Sequence, residues 1–441
     1  MRPILEMNSF ARDATSVAQD GALRRRLENF GATSVLFYQE PIEMMSALGA
    51  WMTAADGTRY LDCYNNVLSI GHCHPQVTAA IAHQSSTLNI NTRYLSSVVD
   101  DYLDALKARL PASLSNVALA CSGSEANDLA LRVAGKVTGC RGVVVTASAY
   151  HGNTAAVTAI SPSALKRDAL PDHVVAVPAP SRAAYGEAIA AGFGDAVEKA
   201  IDELRKRGHG LSAFICDSIF SSDGVHAEPG GFLATVIDAV HAHGGLYVAD
   251  EVQPGFARTG QGFWGFEHHA VTPDMVTMGK PMGNGYPIAG LAAPPDYFET
   301  FCEDVGYFNT FGGNPVAAAA GHAVLRVIDE EGLQQNASLQ GALLLDRLRT
   351  LAERTEGVAD VRGLGLFLGV ELSRPGEPDV PDPERTARVI AALRHRQVLI
   401  GAAGRFGQVL KIRPPLCLDE SEAGFFMSAM EDVLEATPPG T

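Results

Sequence analysis

The sequence predicts an α/β protein. A large domain with a mostly parallel central sheet and helices on both faces is joined to a small α+β domain from the N- and C-terminal segments. Three observations predict it. From about residue 115, short runs that are apolar throughout alternate with helical patterns, as buried parallel strands and their crossover helices do. After about residue 325 that rhythm changes to paired helices and longer strands. The 44 glycines, scattered with no fixed period, supply the tight strand-to-helix turns of such a fold.

Taken in order, residues 1–20 read as a loose polar arm. VALA (117–120) is a strand, followed by the turn Ser122-Gly123-Ser124 and a helix from Glu125 to about Thr138. VVVT (143–146), VVAV (174–177), AFIC (213–216), LYVA (246–249) and MVTM (275–278) are further strands, with helices at 194–207 and 232–243 between them. Such alternation implies right-handed crossovers within one sheet. Helices at about 315–331 and 336–355 precede the strands VADVRG (358–363) and LFLGVEL (366–372), which meet at a tight turn. A Pro-rich loop (374–383), a helix, the strand VLKIR (409–413), an amphipathic helix (419–436) and a frayed tail (437–441) complete the chain. The expected division is 1–55 as an N-terminal segment packing with the small domain, 56–325 as the large domain and 326–441 as the C-terminal small domain.

Composition narrows the function. A chain of 441 residues holds roughly two to four domain-sized units and needs no disulfide or metal staple. The formal net charge of −16 argues against nucleic acid and anionic membranes, which need a positive face. It leaves room for a small anionic ligand held by a few arginines. The seven cysteines are odd in number and form no CxxC pair, which reads as buried free thiols in a reducing compartment. No signal-like apolar core and no run of 18 apolar residues is present, so the expected location is the cytoplasm. His72 and His74 have metal-like spacing but no third ligand nearby, so loop packing and no metal is the expectation.

Chemistry concentrates in two strand ends. LYVADEVQPGF (246–256) delivers Asp250, Glu251 and Gln253, and MVTMGKPMGNGYP (275–287) delivers Lys280. In open α/β sheets, ligands bind at the carboxyl ends of strands. Lys280 lies between Gly279 and Pro281, close to Gly283 and Gly285, and is a Schiff-base candidate. Asp250 suits a pyridinium nitrogen; the plainer alternative for the pair is a surface salt bridge. ACSGSEANDLAL (120–131) places Ser122, Gly123 and Ser124 at a helix start, where free N–H groups and the helix dipole form an anion site. An ordinary N-cap is the alternative there. Tyr150, in AYHG (149–152), could stack on a flat ring or be a rim aromatic.

SGSEAN, AYHG, ADEVQ and MGKPMGNGYP, in this order and spacing, resemble the class III aminotransferase family, over residues from about 35 to 435. That resemblance implies pyridoxal 5′-phosphate (PLP) on the fold-type I scaffold. It implies that Lys280 forms the internal aldimine and Asp250 pairs with the ring nitrogen. Gln253 would sit near the phenolic oxygen, with Val252 and Tyr150 on the two ring faces and Gly123 and Ser124 on the phosphate. Thr310, in YFNTFGGNP, resembles a threonine that reaches the phosphate of the neighbouring subunit, which implies a homodimer with shared active sites; further assembly to a tetramer stays open. Arg413, in LKIRPPL, matches an arginine that grips a substrate carboxylate, or else is a structural ion pair. Asp217 stands where many members place a glutamate that parks this arginine, and its side chain is shorter.

LDCYNNVLSIGHCHP (61–75), NTRYLS (91–96) and VLKIRPPLC are similar to the ethanolamine-phosphate phospho-lyase branch of that family, although CDSIFSSDG (216–224) departs from the branch pattern. Asn66 and Arg93 are the substrate-side candidates in these segments, Arg93 equally readable as a surface or interface residue. The first expectation is therefore an aminotransferase acting on a small amine or amino acid with a keto acid. The alternative is a phospho-lyase acting on a phosphorylated amino alcohol.

Overall fold

The computed structural model describes residues 4–10, 21–33 and 35–439. Part of the polar arm expected over 1–20 and the last two residues of the tail lie outside them. Seven strands form the central sheet, in the order Asn116–Ala120, Ala289–Ala293, Met275–Met278, Leu246–Asp250, Leu211–Cys216, Gly142–Thr146, Val174–Val177. The last five pair in parallel. Ala289–Ala293 is antiparallel to both neighbours. This strand was not anticipated, because AGLAA has no β-branched or aromatic residue to mark it.

The sheet is covered on both faces, and the period-2 alternation of its strands says how. Val143 and Val145 pack with Leu129 and Val133 of helix Gly123–Thr138, as do Ala213 and Ile215. Val144 and Phe214 point the other way, onto Phe193 and Val197 of helix Ile189–Lys206 and Val236 of helix Leu233–Ala242. Helices expected at 194–207 and 232–243 are these two.

Two smaller sheets flank the large one. Met44–Leu48, Trp51–Ala54 and Arg59–Asp62 form an antiparallel meander, and Val398–Leu399 joins it in parallel beside Leu61–Asp62. The other sheet runs Val358–Leu364, Phe367–Arg374, Val409–Ile412, Gly401–Ala403. Its first two strands meet at Gly365, whose φ of +52° suits glycine. The Pro-rich stretch expected as a loop contains the strand Glu377–Pro381, paired with Phe367–Arg374. Its prolines are tolerated because the strand lies at an edge. The cysteine expectation also needs correcting: all seven are free, but only Cys63 and Cys216 are buried, while Cys73 and Cys302 are exposed.

Candidate active site

The site gathers where parallel strands end. Strand Leu246–Asp250 runs from Leu246 to a buried Asp250. Oδ2 of Asp250 accepts from Nδ2 of Asn127 at 3.0 Å and lies 2.7 Å from Nδ1 of His151. Oδ1 accepts the backbone N–H of Val252 at 3.2 Å. Asn127 also donates to the His151 carbonyl at 2.8 Å and accepts from Oγ1 of Thr277 at 2.6 Å. A helix, a loop and two strands thus fix one carboxylate. Nε2 of His151 is buried without a partner.

Lys280 follows strand Met275–Met278 and opens a short 3₁₀ turn, Lys280–Gly283. Its φ of +28° lies in the left-handed region, a costly conformation for a lysine. Burial lowers the pKa of its amine, Asp250 opposes that shift, and Arg413 adds to it. Gly279 brings the turn close to the helix start: a Cβ there would lie 3.3 Å from the backbone nitrogen of Gly123. A Cβ on Gly123 would in turn meet Cγ2 of Val252 at 2.9 Å. Three segments expected to surround one ligand therefore meet at glycines where a Cβ would be tight, at Gly279, or would collide, at Gly123.

Ser122 is the N-cap of helix Gly123–Thr138, and its hydroxyl accepts from the Glu125 N–H at 3.3 Å. Oγ of Ser124 accepts from the Asn153 N–H at 3.1 Å, which ties the helix start to the loop after Tyr150. Tyr150 is half-buried, and burial raises its hydroxyl pKa.

On the opposite side, Arg413 is buried, and its Nη1 donates to Oε1 of Gln253 at 2.6 Å. The guanidinium lies 4.9 Å from the ring centre of Tyr64 and 5.4 Å from that of Phe367. Its Nε has no acceptor. Asn66 donates to the Gln253 carbonyl at 2.9 Å, and its own Oδ1 is buried without a partner. Asp217 makes no hydrogen bond or ion pair with Arg413 among the described residues. Its carboxylate accepts from the N–H groups of Ile219 (3.0 Å) and Ser221 (3.2 Å) and from the Ser221 hydroxyl.

Two candidates stand apart. Thr310 is exposed and lines a cavity of about 570 Å³ with Cys121, Tyr286 and Phe311. Arg93 is exposed, its guanidinium 4.2 Å from the ring centre of Phe308. Neither is hydrogen-bonded through its side chain to the groups above. His72, the loop histidine, bonds Oδ2 of the buried Asp62 at 2.7 Å, and His74 reaches Glu331 at 2.9 Å.

Sequence reasoning missed Asn127, His151 and Lys411. Asn127 and His151 sit inside quoted motifs, but nothing in their spacing shows that they hold Asp250. Glu251, expected beside Asp250 at the strand end, instead turns away from the site and accepts from the N–H groups of Gly265 (2.6 Å) and Phe266 (3.0 Å) and from the Ser218 hydroxyl. Lys411 shares a strand face with Arg413, and strict alternation in VLKIR was the available signal.

This arrangement offers a half-buried lysine, a fixed carboxylate and a helix start with glycine-lined approaches. That donor set fits PLP: an amine for its aldehyde, a carboxylate for its ring nitrogen, backbone N–H groups for its phosphate.

The model of class III aminotransferases matches residues 37–434. Over 428 residues the chain is 37% identical to the Drosophila melanogaster protein named alanine–glyoxylate aminotransferase 2-like, covering 94% of this chain and 87% of that one. It is 34% identical to ethanolamine-phosphate phospho-lyase homolog 1 of Caenorhabditis elegans, covering 95% and 94%. Among solved structures, a phospholyase from Arthrobacter in complex with phosphoethanolamine superposes with a TM-score of 0.91. It is 41% identical, with 95% of this chain and all of that chain covered. The chain belongs to the class III aminotransferase family, whose enzymes depend on PLP. No helix among the described residues is long and apolar enough to cross a membrane.

Proposed function

We propose that this member of the class III aminotransferase family is a PLP-dependent phospho-lyase, releasing phosphate and ammonia from a phosphorylated amino alcohol such as O-phosphoethanolamine. The observation that carries this reading is the setting of Arg413. Its guanidinium is bonded to Gln253, and Asp217 is closed on its own turn instead of standing ready as a parking partner. A transaminase whose second substrate lacks a carboxylate at that position must move such an arginine aside. A fixed buried cation suits a single substrate that always carries an anion. The Arthrobacter phospholyase and the nematode phospho-lyase homologue support the same choice.

PLP, when bound, supplies the electron sink that acidifies the hydrogen on the amine-bearing carbon. Lys280 is the group we assign to hold it and to take that proton, which its burial-lowered pKa favours. Asp250, braced by Asn127 and His151, would hold the ring nitrogen in its charged form, and Val252 and Tyr150 would pack on the ring. Gly123 and Ser124 take its phosphate, with Ser122 capping their helix. Arg413 takes the substrate's anion, and Asn66 has a free acceptor for its amine side. The proton leaves the amine-bearing carbon, the C–O bond to phosphate on the next carbon breaks with its electron pair going to phosphate, that next carbon takes up a proton, and water then replaces the amine. Aldehyde, ammonia and inorganic phosphate balance with no net oxidation.

Transamination is the second reading, favoured by relatives such as the Drosophila protein named for it and by a lysine–aspartate pair that serves both reactions. A panel of phosphorylated amino alcohols, and of amino donors with keto acids, separates them. Phosphate release from the first group supports elimination; keto-acid-dependent amino transfer alone overturns it.

We also assign a homodimer, with Thr310 and Arg93 reaching the partner's site. Tyr94, Leu95 and Phe311 are 64%, 98% and 72% exposed near them, an apolar surface that needs cover. The pairing of Val398–Leu399 with Leu61–Asp62 supports an N-terminal segment packed with the C-terminal small domain, and because the meander it joins runs on to Asp62, we place the first boundary after Asp62, not at 55. Seven unpaired cysteines support the cytoplasm as location.

A further inference from the structure

We propose that Lys411 and Arg413 together form a two-cation receptor for the substrate's phosphate, with Lys411 the residue that selects a phosphate dianion over a carboxylate. This rests on the phospho-lyase reading above.

Along strand Val409–Ile412 and into Arg413, side chains alternate between faces. Leu410 and Ile412 enter the main core. Lys411 and Arg413 point the other way, and both are buried, at 3% and 6% exposure. They share one platform: Nζ of Lys411 lies 5.3 Å from the ring centre of Phe367, and the Arg413 guanidinium 5.4 Å. Burial lowers the pKa of the Lys411 amine, and the Arg413 cation lowers it further, as two like charges on one buried face must.

Nothing in the chain compensates them fully. Lys411 makes no ion pair among the described residues, and Nε of Arg413 has no acceptor. Asp217 and Asp223 favour the charge of Lys411 only from beyond ion-pair distance, and each is hydrogen-bonded elsewhere. Asp217 accepts from Ile219 and Ser221, and Asp223 from Oγ1 of Thr146 (2.6 Å) and the N–H of Ser148 (2.9 Å). Lys280 stands within electrostatic range of Lys411 as a third positive group. A single carboxylate can satisfy the Arg413 fork but leaves Lys411 bare. A phosphate monoester brings two charges and three terminal oxygens, enough for both cations. The cost of burying an unpaired lysine is thus recovered only when the ligand is a dianion.

The test compares holoenzyme of wild type, Lys411→Met and Lys411→Arg. Steady-state phosphate release from O-phosphoethanolamine is read beside calorimetric titration with inorganic phosphate. Losing one charge-assisted contact is expected to raise KM and the phosphate Kd in Lys411→Met by about 30-fold, with kcat changed far less. Lys411→Arg, which keeps the charge, is expected to recover most of both. Cofactor absorbance equal to wild type shows that the variants are folded and loaded. Should wild type release phosphate while Lys411→Met matches its KM and phosphate Kd, the receptor proposal is overturned and the phospho-lyase reading stands. Should wild type release no phosphate, that reading fails and the proposal goes with it.

Discussion

Nη1 of Arg413 donates to Oε1 of Gln253 at 2.6 Å, and this bond ties the last strand of the small sheet to the loop that follows Asp250. The cation proposed for the substrate is thereby linked to the loop that leaves the carboxylate proposed for the cofactor. Removing the cation should be costly where the substrate's charge is buried against it. Arg413→Ala is expected to weaken O-phosphoethanolamine by about 2–5 kcal/mol in kcat/KM. Arg413→Lys should recover only part of this, since a point charge lacks the planar fork. Steady-state kinetics on both variants checks it.

Lys280 is the proton acceptor in this account. Lys280→Ala should lower turnover by about 10²–10⁴-fold, the range of a lost general base. Its melting temperature should stay near that of wild type, because the strain at φ +28° comes from the Cβ that alanine keeps, so the substitution adds none. Borohydride reduction and digestion should find a pyridoxyl label on Lys280 of wild type and none on the variant's peptide.

Asn127 bonds Asp250, the His151 carbonyl and Thr277 at once. Asn127→Ala leaves buried polar groups unpartnered, at about 1–3 kcal/mol each. Denaturant unfolding should report the loss, and activity should fall with it because Asp250 loses its brace. Activity at the wild-type level would separate Asn127 from the site.

Glu251 gives a pH prediction. Burial raises its pKa from 4.5 to about 8, against the donors that hold it. Between those values the folded chain keeps a proton that the unfolded chain gives up. Its contribution to stability is full below about 4.5 and is lost as pH rises through about 8. Glu251→Gln should therefore gain on wild type as pH rises across that window, as melting curves at matched pH will read.

Leu95 is 98% exposed beside Tyr94 in the apolar surface assigned to the dimer. Leu95→Asp should shift the species seen by light scattering from dimer toward monomer and lower activity with it. An unchanged mass would place the interface elsewhere.

Much of the fold was legible because its central strands are apolar on both faces and sit between clear helical patterns. Ala289–Ala293 escaped because small residues carry no strand signal, and Glu377–Pro381 because prolines read as loop. Candidate site residues that terminate a strand or stand beside a glycine, such as Asp250 and Lys280, could be proposed from local sequence. Their supports could not. Asn127 lies 123 positions from Asp250, and Gln253 lies 160 from Arg413, so only the fold brings them together. The fate of Asp217 was hidden for the same reason: a carboxylate can face an arginine or its own turn, and three donors within four residues decide for the turn.

The central claim, elimination at a site with a fixed arginine, is tested most directly by product stoichiometry. Holoenzyme is given O-phosphoethanolamine with no keto acid, and phosphate and ammonia are counted over many turnovers. The account predicts equal, sustained release of both. A reaction that stops once the cofactor has taken up the amino group, with no phosphate set free, would contradict it.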